Sequence, residues 1–309
     1  MPNAKNTLFR DTSHLKNYFH LHFLVFIAGF TAILGELISI KAIPLVWFRM
    51  VMAALLMLIY IRVKKVRLAI NLKSFIKLSL AGIVIAAHWI CFFGAIDEAN
   101  ISIALAMFST GAFFASFLEP IIYKRKVIWY EILFGIIVII GVFIITSSEI
   151  KYLSGIVLGI SSAFFSSLFA VLNGSFLKKH TATVISFYEF LSGVIFISLY
   201  LVFFTNEFHQ DFFNIGKSDY VYLFILASVC TAYAFIASVH VMKYISPYTV
   251  VLTYNLEPIY GILMAIILFP EKEKMTPSFY IGAIIILITV LFNGILKNSR
   301  RLKRKKLRG

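Results

Sequence analysis

A chain of 309 residues, 61% hydrophobic and only 14% charged, departs from an average soluble domain, where the shares are about 45–50% and about 25%. That balance excludes a soluble enzyme or water-borne binding module and leaves little chain for any domain outside a membrane. The formal net charge of +15 raises nucleic acid as a partner, a reading that the placement of the charges removes.

In chain order, a polar and basic tail (1–20) precedes ten apolar stretches at about 21–40, 43–63, 75–96, 101–123, 127–147, 152–174, 183–204, 221–242, 248–270 and 278–296. Each is close to the roughly 20 residues that a spanning helix needs. The first is too long for a signal-peptide core and has no small-residue cleavage site, so it is expected to remain as a transmembrane helix. Cys91 and Cys230 both fall inside spans, where a thiol behaves as a small hydrophobe. A basic tail (297–309) closes the chain. With the N-terminus inside, 23 of the 29 Lys and Arg residues lie in inner segments, a distribution that predicts both termini in the cytoplasm. The tail "LKNSRRLKRKKLRG" then reads as an anchor to anionic lipid rather than as a nucleic-acid contact.

Shifting the sequence by 147 positions lays "NISIALAMFSTG" (100–111) over "PYTVVLTYNLEP" (247–258) and Gly135 over Gly282. A shift of 140 lays "WFRMVMA" (47–53) over "FYEFLSG" (187–193). Two halves of five spans each, 21–148 and 149–296, must enter the membrane in opposite senses because five is odd. The predicted fold is therefore an all-α integral membrane protein with ten transmembrane helices as two inverted five-helix repeats, an architecture that supports alternating access around a midplane site.

Ionisable groups inside spans cost about 2.5–3.5 kcal/mol near the bilayer centre, so each asks for a reason. Glu36 and Arg49 flank one short outer loop and are expected to face each other, as a structural clamp, as an outer gate, or with Arg49 free to take a substrate carboxylate, which a guanidinium fork suits. Glu257 lies about ten residues into the ninth stretch, next to Asn255 and followed by Pro258. A proline there breaks the helix, and broken backbone at membrane depth is tolerated where it lines a protein cavity or water path. "TYNLEP" is therefore the candidate central site, with Glu257 as a proton- or cation-coupling group or, alternatively, a structural carboxyl held by Thr253 or Tyr254. Glu189 takes the repeat position of Arg49 and is either an inner gate or a snorkelling side chain. His88 and Trp89 sit mid-span, with the histidine either a packing residue or a proton relay. Gly155 and Gly159, in GxxxG spacing, read as a helix-packing face.

"IPLVWFRMVMAALL" in the second span, "SPYTVVLTYNLEPIYGILMAIILFPE" across the ninth and a glycine eleven residues after Glu271 resemble the EamA-type transporters of the drug/metabolite transporter superfamily. The resemblance covers about 20–296. It implies a secondary carrier of the bacterial inner membrane, moving amino acids, related metabolites or drugs and favouring export. Two positions depart from the family pattern: Lys124 stands where an acid is usual at the end of the fourth span, and Gly111 where a mid-span proline is expected. No HExxH, GxSxG, CxxC or Walker-type loop is present, so neither enzyme chemistry nor a cofactor is expected. The expected partners are a small-molecule substrate, protons and membrane lipids. A drug-efflux carrier is the alternative, with a channel or non-transporting membrane protein further off. The candidate substrate or coupling residues are Arg49, His88, Trp89, Tyr254, Asn255 and Glu257.

Overall fold

The computed structural model of the protein describes residues 4–124, 126, 128–177, 179–241, 244 and 253–306, and the side chains among them apart from those of 4–15, 239–240 and 297–306. The chain is helical: α1 (Ala4–Leu37), α2 (Ala42–Val63), α3 (Leu72–Glu98), α4 (Ile101–Phe108), α5 (Gly111–Tyr123), α6 (Trp129–Ser148), α7 (Leu153–Phe176), α8 (Ala182–Phe204), α9 (Lys217–Ala227), α10 (Ala234–Val241), α11 (Glu257–Leu268) and α12 (Pro277–Lys306). A π-helical segment, Ser228–Tyr233, joins α9 to α10. Among the described residues nine helices are long and apolar enough to cross a membrane. The remaining expected span, the ninth (248–270), begins outside the described residues and continues as α11.

Inversion of the two halves is visible in how helices meet. In the first half α1 lies against α11, and in the second α7 lies against α4 and α5. Where α6 crosses α12 the contact reads the same from both sides. A Cβ on Gly141 would stand 3.1 Å from the Gly282 carbonyl and 2.6 Å from Ile286, and one on Gly282 would stand 2.8 Å from the Gly141 carbonyl and 2.6 Å from Ile145. Only glycine lets the backbones meet this closely. Gly155 and Gly159 do form a packing face, their missing side chains leaving room for Ala99 and Met107. One large apolar core runs through α1, α2, α3, α8, α9, α10 and α11, and a smaller one joins α4, α6, α7 and α12. Ile136, Ile139 and Phe143 of α6 and Ile281, Ile284 and Ile288 of α12 are exposed, a surface that hydrocarbon covers.

The fourth span, expected to be continuous over 101–123, is broken at Ser109–Thr110. The cause is local chemistry. Ser109 Oγ donates to the Leu105 carbonyl (2.9 Å) and Thr110 Oγ1 to the Met107 carbonyl (2.6 Å), so hydroxyls compete for acceptors that the helix ladder uses. Ser167 on α7 lies 2.7 Å from the Gly111 carbonyl, which ties the start of α5 to α7. In the second half the ninth span turns at Asn255–Leu256 before α11 starts. Under the offset of 147, Ser109 falls on Leu256. The two halves therefore break within one residue of the same place, one with a proline and one without.

Candidate functional site

Arg49 is the centre of the arrangement. It lies eight positions along α2 and is 3% exposed. Its guanidinium carbon stands 4.0 Å from the centre of the Trp89 ring and 5.6 Å from that of Phe93, both on α3, distances at which a cation is attracted to a ring face. Nε–H donates to Thr231 Oγ1 at 2.9 Å. Thr231 in turn donates to the carbonyl of Leu226, five residues back, at 2.8 Å. The π-helical segment thus aims a hydroxyl at Arg49, and π-bulges recur at functional positions.

Nη1 of Arg49 is buried and has no hydrogen-bond partner. Glu257, the first residue of α11, is near enough for its charge and that of Arg49 to act on each other, yet no ion pair joins them. The ninth span presents Glu257 because Pro258 sits in the first turn of α11, where a proline starts a helix well. The proline therefore initiates α11 rather than interrupting a continuous helix, and Asn255 lies in the turn before it. Tyr254 is fixed from α10, its hydroxyl 2.7 Å from Ser238 Oγ. A buried donor without a partner is costly, and a guanidinium with a free fork is matched to a carboxylate.

His88 is one residue from Trp89 but is engaged elsewhere. Its Nδ1 lies 3.0 Å from the Ser162 carbonyl and 2.9 Å from the Ser162 hydroxyl on α7. The carbonyl can only accept, which places a proton on Nδ1. The imidazole also stacks on Phe108 at the end of α4, with centroids 5.5 Å apart.

Glu36 and Arg49 do not pair, contrary to expectation. Glu36 ends α1 and bonds to Lys272 in the α11–α12 loop of the other half, whereas Arg49 points inward to Trp89 and Thr231. Glu189 is fully buried on α8; it receives a long bond from Asn173 Nδ2 (3.4 Å), and its Oε1 is unpartnered. The structure thus gathers Arg49, Trp89 and Glu257 around one centre, with Tyr254 and His88 at its margin. Thr231, Ser162 and Ser238 went unrecognised in the sequence. Serines and threonines are common in membrane helices, and Thr231 was marked only by a π-bulge that no residue pattern announces. Among the described residues no three His, Cys, Asp or Glu side chains cluster as a metal would require.

The sequence profile of the EamA-like transporter family matches residues 17–147 and again 153–295. The chain belongs to the EamA-like transporter family, and the two matched segments are the two inverted halves described above. No curated protein matches the sequence. A crystal structure titled only as that of a protein superposes on 90% of this chain and 97% of its own length, with a TM-score of 0.61 and 11% identity; at that identity the likeness is one of fold.

Proposed function

We propose that the protein is a secondary active carrier that moves a small metabolite bearing a carboxylate, an amino acid or related compound, by alternating access. The observation that carries this reading is the unpartnered Nη1 of buried Arg49, held over Trp89 and braced by Thr231. A substrate carboxylate completes that fork, and the rings of Trp89 and Phe93 take the rest of the molecule. Glu257 is the coupling group: it shares the field of Arg49 without bonding to it, so binding and release of a proton there change how strongly the site holds an anion. The carrier works as an exporter of a bacterial inner membrane with both termini cytoplasmic, a reading supported by the family resemblance and by the expected placement of 23 of 29 basic residues on one side.

The test compares metabolites in the medium of cells making matched amounts of wild type, Arg49→Gln and Glu257→Gln. A carboxylate compound is expected to accumulate outside with wild type and to be lost with Arg49→Gln. With Glu257→Gln its export no longer responds to an imposed proton gradient. Wild-type export by Arg49→Gln would sink the assignment of the carboxylate contact, and an unchanged response in Glu257→Gln that of coupling.

A further inference from the structure

Where the α2–α3 and α7–α8 connections meet, the first turns of α3 and the end of α7 enclose a cavity of about 340 Å³. Lys73, Lys77 and Lys179 line it together with Asn71, Ser74 and His180, and among the described residues no Asp or Glu does. The lysines are poorly placed for helix stability. Lys73 and Lys77 occupy the first two turns of α3, which has no acid in its first turn, and the positive end of a helix dipole favours acids there. They are also four residues apart, where like charges on a helix repel. An anion in the cavity relieves both penalties.

The polar wall is ordered. The Asn71 side chain accepts from the Ser74 N–H at 2.8 Å, and His180 Nε2 lies 3.0 Å from Ser74 Oγ, so the wall joins α3 of the first half to the α7–α8 connection of the second. Part of the lining is apolar, supplied by Leu78 and Phe176. A cationic cup with an apolar wall at a membrane surface matches a phosphate ester whose other end is hydrocarbon, and basic pockets between membrane helices suit acidic headgroups.

We propose that this cavity binds a phosphate ester anion, that of an anionic phospholipid headgroup, with Lys73, Lys77 and Lys179 supplying the charge, Ser74 a hydrogen bond and Phe176 an apolar contact for the acyl chains. The bound headgroup ties the two halves together at this end of the bundle.

The experiment measures lipid retained by the purified, delipidated full chain in native mass spectra after addition of phosphatidylglycerol or phosphatidylcholine. Phosphatidylglycerol is expected to be retained in preference, and Lys73→Gln/Lys77→Gln/Lys179→Gln to lower its retention about tenfold or more. Lys41→Gln/Lys151→Gln/Lys217→Gln, which removes the same charge from the opposite end of the bundle, where α2, α7 and α9 begin, is expected to leave retention within about twofold. Displacement of phosphatidylglycerol by equimolar free glycerol phosphate supports the phosphate site but overturns the lipid as its source. Equal retention of both lipids, or equal losses in the two triple variants, overturns the site.

Discussion

At the end of the bundle where α2, α4, α7, α9 and α12 begin, carboxylates reach backbone N–H groups at or just before helix starts. Asp97 accepts from Ala42 N (3.1 Å), Asp219 from Ser39 N and Oγ (2.8 and 2.6 Å), Glu149 from Thr276 N and Oγ1 (2.9 and 2.7 Å), and Glu273 from Ile101 and Ser102 N (3.1 and 2.9 Å). The opposite end, where α3, α6 and α8 begin, is lined with lysines and joined by neutral contacts such as Ser74 with His180 and Tyr188 Oη–H with the Leu68 carbonyl. At the first end acids reach the positive ends of helices, whereas at the other α3 opens on lysines with no acid in its first turn, although α6 there carries Glu131 in its own. Asp219 and Glu273 tie one half to the other and are each 1% exposed, and charge-assisted bonds away from water are the stronger kind. In the proposed alternating-access cycle, the lysine-lined end is therefore expected to separate at lower cost.

Removing Glu273 is the largest test of this difference. Its carboxylate serves two buried N–H groups that open α4, and Glu273→Ala leaves both without an acceptor. The expected loss is about 2–3 kcal/mol in holding this end closed, read as amide hydrogen exchange at Ile101 and Ser102 roughly 30- to 150-fold faster. Tyr188→Phe, at the lysine-lined end, is expected to change exchange around Leu68 by less than about 1 kcal/mol. Equal effects at the two ends would remove the asymmetry.

A second, smaller effect follows from pH. Burial pushes the Glu273 carboxyl up from its usual range, against the pull of the N–H donors that favour its charged form. A carboxyl raised in the closed form and ordinary when solvated stabilises closure below its ordinary value, and that contribution is lost as pH rises through the raised one. Acidification from neutral is therefore expected to favour closure of the carboxylate-laced end, seen as a shorter distance between spin labels on the α3–α4 turn and the α11–α12 loop. Glu273→Gln is expected to flatten that response, and a response of the opposite sign would contradict the role of burial.

The legible and illegible parts of the molecule divide along a physical line. Span length, charge bias and the 147-residue offset are properties of chain segments, so the ten-span inverted repeat could be read from them. Arg49, Trp89 and Glu257 stood out because a charge or indole at membrane depth demands a reason. What the sequence does not disclose is which segments touch across the two halves. Nearness along the chain suggests a Glu36–Arg49 pair, whereas Lys272 reaches Glu36 from 236 residues away. The break in the fourth span was hidden because two hydroxyls make it where a proline was expected. The Glu273 cap was hidden for a related reason, since the N–H groups that it serves belong to every residue alike.

The Lys272–Glu36 pair separates charge from burial at the same end of the bundle, and its expected effect is the smallest. Lys272 is 68% exposed, and an ion pair held in water contributes about 0–1 kcal/mol because solvent screens it and two side chains must be ordered. Glu36 holds the Lys272 ammonium above its usual value, so the contribution is present below the ordinary lysine value and is lost only as pH rises through the raised one. Near neutrality it is constant. Lys272→Gln is therefore expected to loosen this end by less than about 1 kcal/mol, and less in high salt than in low. The Lys272 carbonyl, which accepts from Asn100 Nδ2 at 3.2 Å, is kept in that variant. Glu36→Gln is expected to match it, and the double variant to be no worse than either single one, because each change removes the same interaction. A loss as large as that of Glu273→Ala would place the strength of this end in its surface charge rather than in its buried caps.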